Sequence, residues 1–256
     1  MYDTHVHTDF STDSKMKLEE ARAKATLDNQ QLILTEHMDL SYPRPGEFIF
    51  DVNEYFKQYS RHRSDDLLLG IELGMTEDTL KEGRKIVESH PFDFVLGSIH
   101  MVDNLDLYYE TFYKGKEKSE AYGKYLEAML VCVKNFHFVD SLGHIDYISR
   151  YSRYEDKEIY YHEHPEILDE IFRMLIANDT SIELNTRRFD RKEVIEKLLP
   201  IYKRYAELGG KHITVGSDAH TPEAIGKNEK LAKEFAEASK LKIVYYKERK
   251  IEYEKV

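Results

Sequence analysis

The sequence predicts an α/β domain whose mainly parallel sheet closes into a barrel of seven strands. Three observations lead there. Short apolar, β-branched runs alternate with helical patterns along the chain, which implies parallel strands joined by crossover helices. Residues of metal-binding type stand at the end of almost every run. A closed barrel collects loops from all its strands at one rim, whereas an open sheet gathers its site at one crevice. The 256 residues also carry no linker, internal repeat or low-complexity segment, so residues 1–256 are expected to form one domain.

The elements follow in order. Residues 2–5 read as the first strand, and His5 and His7, two apart, then point to the same face. Helix 17–27 is rich in Ala, Lys and Glu. Strand 32–35 runs into Glu36-His37, and strand 67–72 ends on Glu72. Helix 76–88 stops before His90-Pro91, where proline disfavours continuation. Strand 94–98 leads to His100. Helix 119–134 precedes strand 138–142 and His144, and helix 165–177 precedes strand 181–185. Helix 192–208 places Ile195, Leu198, Leu199, Tyr202 and Tyr205 at three- and four-residue spacings, with Pro200 expected to kink it and Gly209-Gly210 to end it. Strand 213–216 runs into Asp218-Ala-His220. Thr221-Pro222 is expected to cap and open the last long helix. Residues 242–256 alternate apolar and charged side chains and are expected to form an accessory hairpin or edge strand.

Composition narrows the function classes. Apolar residues make up 41% of the chain, enough for a sizeable core. A formal net charge of −11 argues against sequence-independent nucleic-acid binding, so no nucleic-acid partner is expected. It leaves room for a small phosphorylated substrate, because bound metal ions reverse the local field. Cys132 is the single cysteine, which rules out an intrachain disulfide framework. The first candidate ligand comes at residue 5, leaving no room for a signal peptide, and no apolar run is long enough to span a membrane. A cytoplasmic protein is expected.

The candidate metal ligands are His5, His7, Asp13, His37, Glu72, His100, His144, Asp218 and His220. Each alone has an ordinary alternative: a lone histidine packs in a core, Glu72 leaves the core for water, Asp218 caps a turn. Together they recur at one topological position. Nine groups exceed the four to six ligands of one ion, so two or three divalent ions and a bridging carboxylate are implied. Mixed imidazole and carboxylate donors suit Zn, Mn or Fe. His62, His90, His137 and His212 lie in helices, turns or strand beginnings and read as structural. His162-Glu163-His164 repeats the spelling of His5-Val-His7, but no apolar strand leads into it, and it reads as a decoy.

With these residues in view, the chain resembles the polymerase and histidinol phosphatase (PHP) superfamily of metal-dependent phosphoesterases. The matching pieces are H-V-H (His5, His7), T-E-H (Glu36, His37), G-I-E-L-G (Glu72), G-S-I-H (His100), G-H-I-D (His144) and G-S-D-A-H (Asp218, His220), in family order across residues 5 to 220. The resemblance implies a distorted (β/α)7 barrel, TIM-like, with a trinuclear site at its C-terminal rim. It implies one metal held by His5, His7, Glu72 and Asp218, with Glu72 bridging to a second held by His100 and His144. His37, His220 and Asp13 take the third, although relatives often place histidine where this chain has Asp13. Glu36 points to the opposite strand face from His37 and is at most a supporting residue.

Several metals around one solvent molecule supply hydroxide near neutral pH for attack on phosphorus. Glu72, Asp218 and His220 are expected to bear most directly on catalysis. Arg150 and one arginine of Arg187-Arg188 are expected to grip phosphate, since a guanidinium takes two phosphate oxygens at once. Of the two, Arg188 is the one expected, although Arg187-Arg188-Phe189 replaces a small glycine-containing segment of relatives. Single-domain size and the arginines resemble the histidinol-phosphatase branch, which implies hydrolysis of L-histidinol phosphate in histidine biosynthesis. The alternatives are a PHP phosphoesterase for another small phosphomonoester or nucleotide, and a metal-binding module without catalysis. Two loops, 41–50 and 101–118, are expected to shape the pocket.

Overall fold

The structure, a computed structural model, describes residues 1–254. The last two residues of the expected C-terminal accessory element, 255 and 256, lie outside the described residues. In chain order the strands are β1 (Tyr2–Val6), β2 (Gln31–Met38), β3 (Leu67–Gly74), β4 (Phe94–Ser98), β5 (Met101–Val102), β6 (Leu105–Asp106), β7 (Ser141–Leu142), β8 (Ser181–Asn185), β9 (His212–Gly216), β10 (Lys242–Lys247) and β11 (Lys250–Tyr253). The α-helices are α1 (Leu18–Asp28), α2 (Val52–Tyr59), α3 (Leu80–Ser89), α4 (Lys118–Asn135), α5 (Tyr147–Tyr151), α6 (Pro165–Ala177), α7 (Lys192–Glu207) and α8 (Glu229–Ser239).

The main sheet runs β1-β2-β3-β4-β7-β8-β9-β10-β11, and every pairing from β1 to β10 is parallel. Just past β9 the chain returns to β1: Val6 bridges Ala219, His7 N donates to Ala219 O at 2.8 Å, and Ala219 N donates to His5 O at 3.2 Å. That contact brings the first and seventh parallel strands together into a distorted (β/α)7 barrel. A parallel strand covered on both faces should be buried throughout, and β1, β3, β4 and β8 are buried at every position.

Strand periodicity then sorts the side chains. Leu32 and Leu34 of β2 and Leu67, Leu69 and Ile71 of β3 point out into the core shared with the helices. Ile33, Leu68, Phe94 and Leu96 point in, forming a separate cluster with Tyr2 and with Val244 and Tyr246 of β10. The β10–β11 hairpin therefore closes the floor of the barrel, with Tyr246 stacked on Phe94 at 5.4 Å. Moving up the same inward rows, Ile33 gives way to Thr35 and His37, Leu68 to Gly70 and Glu72, and Leu96 to Ser98 and His100. The apolar floor and the functional rim are two levels of one alternating pattern.

Two expectations need correction, and two helices were missed. The segment 138–142 is strand only at Ser141–Leu142, because Val139 N turns back to Phe136 O after α4. Thr221-Pro222 opens a short 3-10 turn, Pro222–Ala224, and α8 starts at Glu229. Gly226 (φ +66°) and Asn228 (φ +65°) break the chain between them, held by Asp3 Oδ2 accepting from Gly226 N at 2.8 Å. Helix α2 lay unrecognised after the 41–50 loop, although Asp51 Oδ1 caps it by accepting from Asn53 N and Glu54 N at 2.9 and 3.1 Å. Short α5, carrying Arg150, was also missed. Pro200 sits inside α7, which continues through it from Lys192 to Glu207.

Candidate active site

At the C-terminal ends of the barrel strands, the structure brings together all nine candidate ligands around the Glu72 carboxylate. Glu72 Oε2 lies 3.4 Å from His5 Nε2, 3.6 Å from His7 Nε2 and 2.8 Å from His37 Nδ1. Its other oxygen, Oε1, lies 3.2 Å from His100 Nε2 and 3.0 Å from His144 Nε2. The carboxylate thus faces two sets of imidazoles with two different oxygens. Asp218 Oδ1 is 3.9 Å from His5 Nε2 and 3.7 Å from His7 Nε2. Asp13 lies between His37 Nε2 at 3.5 Å and His220 Nε2 at 3.0 Å.

Whether these donors suit metal ions is decided by what their other atoms do. A ligating histidine uses one ring nitrogen and gives its second N–H to an acceptor. His5 Nδ1 meets Glu183 Oε1 at 2.6 Å, and His100 Nδ1 meets Asp39 Oδ1 at 2.8 Å. His220 Nδ1 meets the Asp218 carbonyl at 2.9 Å. Ser11 Oγ donates to Glu36 Oε2 at 2.6 Å, so it accepts from His7 Nδ1 at 3.1 Å. All four acceptors place the proton on Nδ1 and leave Nε2 to face the cluster. His5 Nε2, His7 Nε2, His37 Nδ1, His220 Nε2 and Glu72 Oε2 are buried and, close as some are to one another, make no hydrogen bond of good geometry. Ion-free, such atoms are costly; as ligands they are satisfied. The donor set fits divalent metals.

Electrostatics sharpen the picture. Burial works against charge on His5, yet the carboxylates of Glu183, Glu72 and Asp218 outweigh it and hold its pKa well above the usual histidine value. Burial also opposes ionisation of Glu72, but His5, His100 and His37 hold it well below the carboxylate range. His7 goes the other way: burial, then His37 and His220, push it well below normal. Asp218 resists burial through Arg150, His5 and Arg187 and also stays well below its ordinary value. It adopts a left-handed backbone conformation, φ +57°, a strain of the kind that clusters at functional sites.

Of the two arginines expected to grip phosphate, the structure places one at the cavity. Arg150 lines the cavity above the cluster; its Nη1 donates to Asp218 Oδ2 at 2.5 Å, while Nε and Nη2 are buried without a protein partner. Arg187 also lines that cavity, 3.2 Å from Asp218 Oδ1. Arg188 does not: its guanidinium pairs with Asp146 at 2.5 Å and Glu158 at 2.6 Å, in a position only 9% exposed. Neighbouring residues leaving a strand end face opposite ways, and Arg187 took the inward one. Glu36 faces away from the cluster as expected, accepting from Thr8 Oγ1 and Ser11 Oγ at 2.6 Å each. His162 and His164 fall in a 3-10 turn and at the start of α6, outside the cavity lining.

Several residues escaped sequence reasoning. Glu183 is fully buried and binds His5 Nδ1 and, through Oε2, the His144 backbone N–H at 2.7 Å. A glutamate in the middle of the apolar strand Ser-Ile-Glu-Leu-Asn was its signal, since Glu is almost never fully buried without a partner. Asp39 is also buried, beneath His100, and a side chain at Gly74 would put Cβ 2.0 Å from Asp39 Oδ1. The cavity, about 390 Å³, is walled by both expected loops, which contribute Tyr42, Phe48, Asp106 and Tyr109, and by Tyr147 of α5.

Imidazoles and carboxylates converging at the rim of a distorted (β/α)7 barrel, beneath two arginines, define the class of metal-dependent phosphoesterases. The chain belongs to the PHP domain family, whose match covers residues 3–187. It is 48% identical over 253 residues, 99% of both chains, to a probable histidinol-phosphatase of Clostridium acetobutylicum. It is 35% identical to a histidinol-phosphatase of Lactococcus lactis, over 85% of this chain and 83% of that one. The crystal structure of the Lactococcus lactis histidinol phosphate phosphatase, in complex with zinc, L-histidinol and phosphate, matches with a TM-score of 0.92 and 31% identity over 98% of each chain.

Proposed function

We infer that this chain is a metal-dependent histidinol-phosphatase, hydrolysing L-histidinol phosphate to L-histidinol and phosphate in histidine biosynthesis. The observation that carries the reading is the Glu72-centred cluster opening onto a cavity that Arg150 and Arg187 also line. The whole-length likeness to histidinol-phosphatases selects this substrate among phosphomonoesters.

In this reading His5, His7, Glu72 and Asp218 hold one ion, Glu72, His100 and His144 a second, and His37, His220 and Asp13 a third. Zinc is the ion in the Lactococcus lactis complex, and the mixed donor set here suits Zn, Mn or Fe. When bound, such ions act as Lewis acids that lower the pKa of water and neutralise charge growing on phosphoryl oxygens. The protein's own residues do the rest. Arg150 presents its unpartnered Nε and Nη2 to the phosphate, a planar fork suited to two oxygens. Arg187 supplies a second guanidinium in place of Arg188. Asp218 anchors both arginines through its two oxygens and so fixes them relative to the cluster. Glu183, Asp39 and the Ser11–Glu36 pair keep protons on the Nδ1 atoms of His5, His100 and His7.

The partner is a small phosphorylated molecule, not a nucleic acid, in keeping with the net charge of −11. No helix among the described residues is long and apolar enough to cross a membrane. A cytoplasmic location completes the reading, supported by a single cysteine, Cys132, that is buried and unpaired.

The test is phosphate release by purified protein from L-histidinol phosphate, nucleoside monophosphates and simple sugar phosphates, with elemental analysis of the same sample. A kcat/KM for histidinol phosphate at least tenfold above the others, with two or three divalent ions per chain, is expected. A clear preference for a nucleotide would overturn the assignment.

A further inference from the structure

The cavity wall carries six carboxylates, and five are already matched by a basic group. Asp13 meets His37 and His220, Asp39 meets His100, and Glu72 meets the histidine cluster. Asp218 meets Arg150, and Glu47 meets Arg44. The sixth, Asp106, has no ion-pair partner among the described residues, although it lines the same cavity.

Its setting is built rather than incidental. Asp106 sits on β6 of the β5–β6 hairpin, directly after His100, and pairs with Met101. Leu107 N returns to His100 O at 3.0 Å, and Tyr109 N to Asp106 O at 3.1 Å, so the hairpin is pinned to a residue of the cluster. Tyr108 N donates to Asp106 Oδ1 at 2.8 Å and orients the carboxylate. That leaves Oδ2 without a protein donor among the described residues. Around it the wall is aromatic: Tyr42, Tyr109 and Tyr147 share the cavity.

A fixed carboxylate oxygen, set among aromatic rings, is complementary to a primary ammonium, which offers three N–H donors and a cation for the ring faces. We propose that Asp106 is the specificity residue of this site and binds the ammonium group of the substrate, so that the cavity selects phosphomonoesters bearing a cationic amine near the phosphate. The inference rests on the phosphomonoesterase reading and deepens it. The arginines and the cluster recognise the group all phosphomonoesters share; Asp106 recognises what distinguishes one substrate from the rest.

The test is Asp106→Asn, which keeps an acceptor for Tyr108 N and so preserves the hairpin while removing the charge. Metal-loaded parent and variant are assayed with L-histidinol phosphate and with 4-nitrophenyl phosphate, which has no amine. L-histidinol is added as an inhibitor of 4-nitrophenyl phosphate hydrolysis. A kcat/KM loss of tenfold to a hundredfold on histidinol phosphate is expected, against about threefold or less on 4-nitrophenyl phosphate. Inhibition by L-histidinol should weaken by a similar factor. Equal losses on both substrates, or none on either, would overturn the inference. If the parent hydrolyses 4-nitrophenyl phosphate but not histidinol phosphate, the proposed function fails. Asp106 is then judged by L-histidinol inhibition alone: weakening in the variant upholds it, and its absence or persistence in both proteins overturns it.

Discussion

Glu183→Gln is the substitution that separates a positioning residue from a ligand in this site. The change is isosteric and replaces no candidate ligand. Glu183 accepts from donors at both oxygens: His5 Nδ1 at Oε1, and the His144 backbone N–H and Asn185 Nδ2 at Oε2, 2.7 and 3.3 Å away. A glutamine has one acceptor and one donor end, so neither orientation serves both. With its oxygen toward His5, its NH2 faces the His144 N–H, leaving opposed donors in a fully buried position. With the oxygen toward His144, the NH2 faces His5 Nδ1. His5 then carries its proton on Nε2, the atom facing Glu72 and Asp218. The carboxyl packs directly against Gly216, where an added Cβ would lie 2.4 Å from Glu183 Oε1.

The cost follows from those two outcomes. Losing a hydrogen bond to a charged group costs about 1.5–3 kcal/mol, and a buried unsatisfied donor costs a similar amount. Supporting carboxylates of ligating histidines are worth roughly tenfold to a hundredfold in metal affinity. Glu183→Gln should therefore lower affinity for the ion at His5 by that factor, measured by chelator competition. At saturating metal much of kcat should return, since the ligands themselves are intact. Unchanged metal affinity together with an unchanged melting temperature would refute the reasoning.

Three further outcomes are expected. Glu72→Gln should abolish turnover and leave less than the parent's full complement of ions by elemental analysis, because one amide oxygen cannot serve both sets of histidines; near-normal activity with unchanged metal content would remove Glu72 as the bridge. Arg150→Ala should cut kcat/KM for every phosphomonoester by about tenfold to a hundredfold and weaken inhibition by inorganic phosphate, with metal content unchanged. Arg188→Ala should instead lower stability by breaking its pairs with Asp146 and Glu158, and equal phosphate-binding losses in both variants would contradict the division between them. Burial pushes the Cys132 thiol up to about 12 from its ordinary 9.0. A raised folded value means stability held below pH 9 and lost above it, so the parent should lose about 1 kcal/mol more than Cys132→Ala between pH 9 and 10 in urea titrations.

Much of this site could be read from the sequence because strand ends at a barrel rim are marked twice, by an apolar run and by the polar residue that stops it. His37, Glu72 and His100 each follow such a run, and each lies on the inward row above Ile33, Leu68 and Leu96. The supporting residues were harder to see because their roles depend on neighbours far along the chain: Glu183 is 178 residues from His5, and Asp39 is 61 from His100. Arg187 and Arg188 differ only in which way the chain turns after Asn185, which no local pattern records. Helix boundaries failed where side chains or glycine geometry overrode propensity, as at Gly226 and Asn228 before α8.

The same charges make stability depend on pH in opposite directions with and without metal. In the ion-free protein burial works against charge on His5, His37 and His100, but their carboxylate neighbours hold all three pKa values above 6.5. A histidine whose folded pKa is raised stabilises the fold while it is protonated. That contribution is complete below about pH 6.5 and is lost as pH rises through the folded values. His7 and His144 are lowered, by burial first, and contribute in the reverse sense, but they titrate below 6.5 and leave the alkaline side to the other three. Metal ions need those nitrogens deprotonated, so loading releases protons and strengthens as pH rises. Chelated protein should therefore lose stability from pH 6.5 upward, while protein in excess Zn²⁺ gains it over the same range. Differential scanning calorimetry of both forms from pH 6 to 9 measures the two slopes. Parallel slopes would mean that the histidines are not the groups on which protons and metal compete.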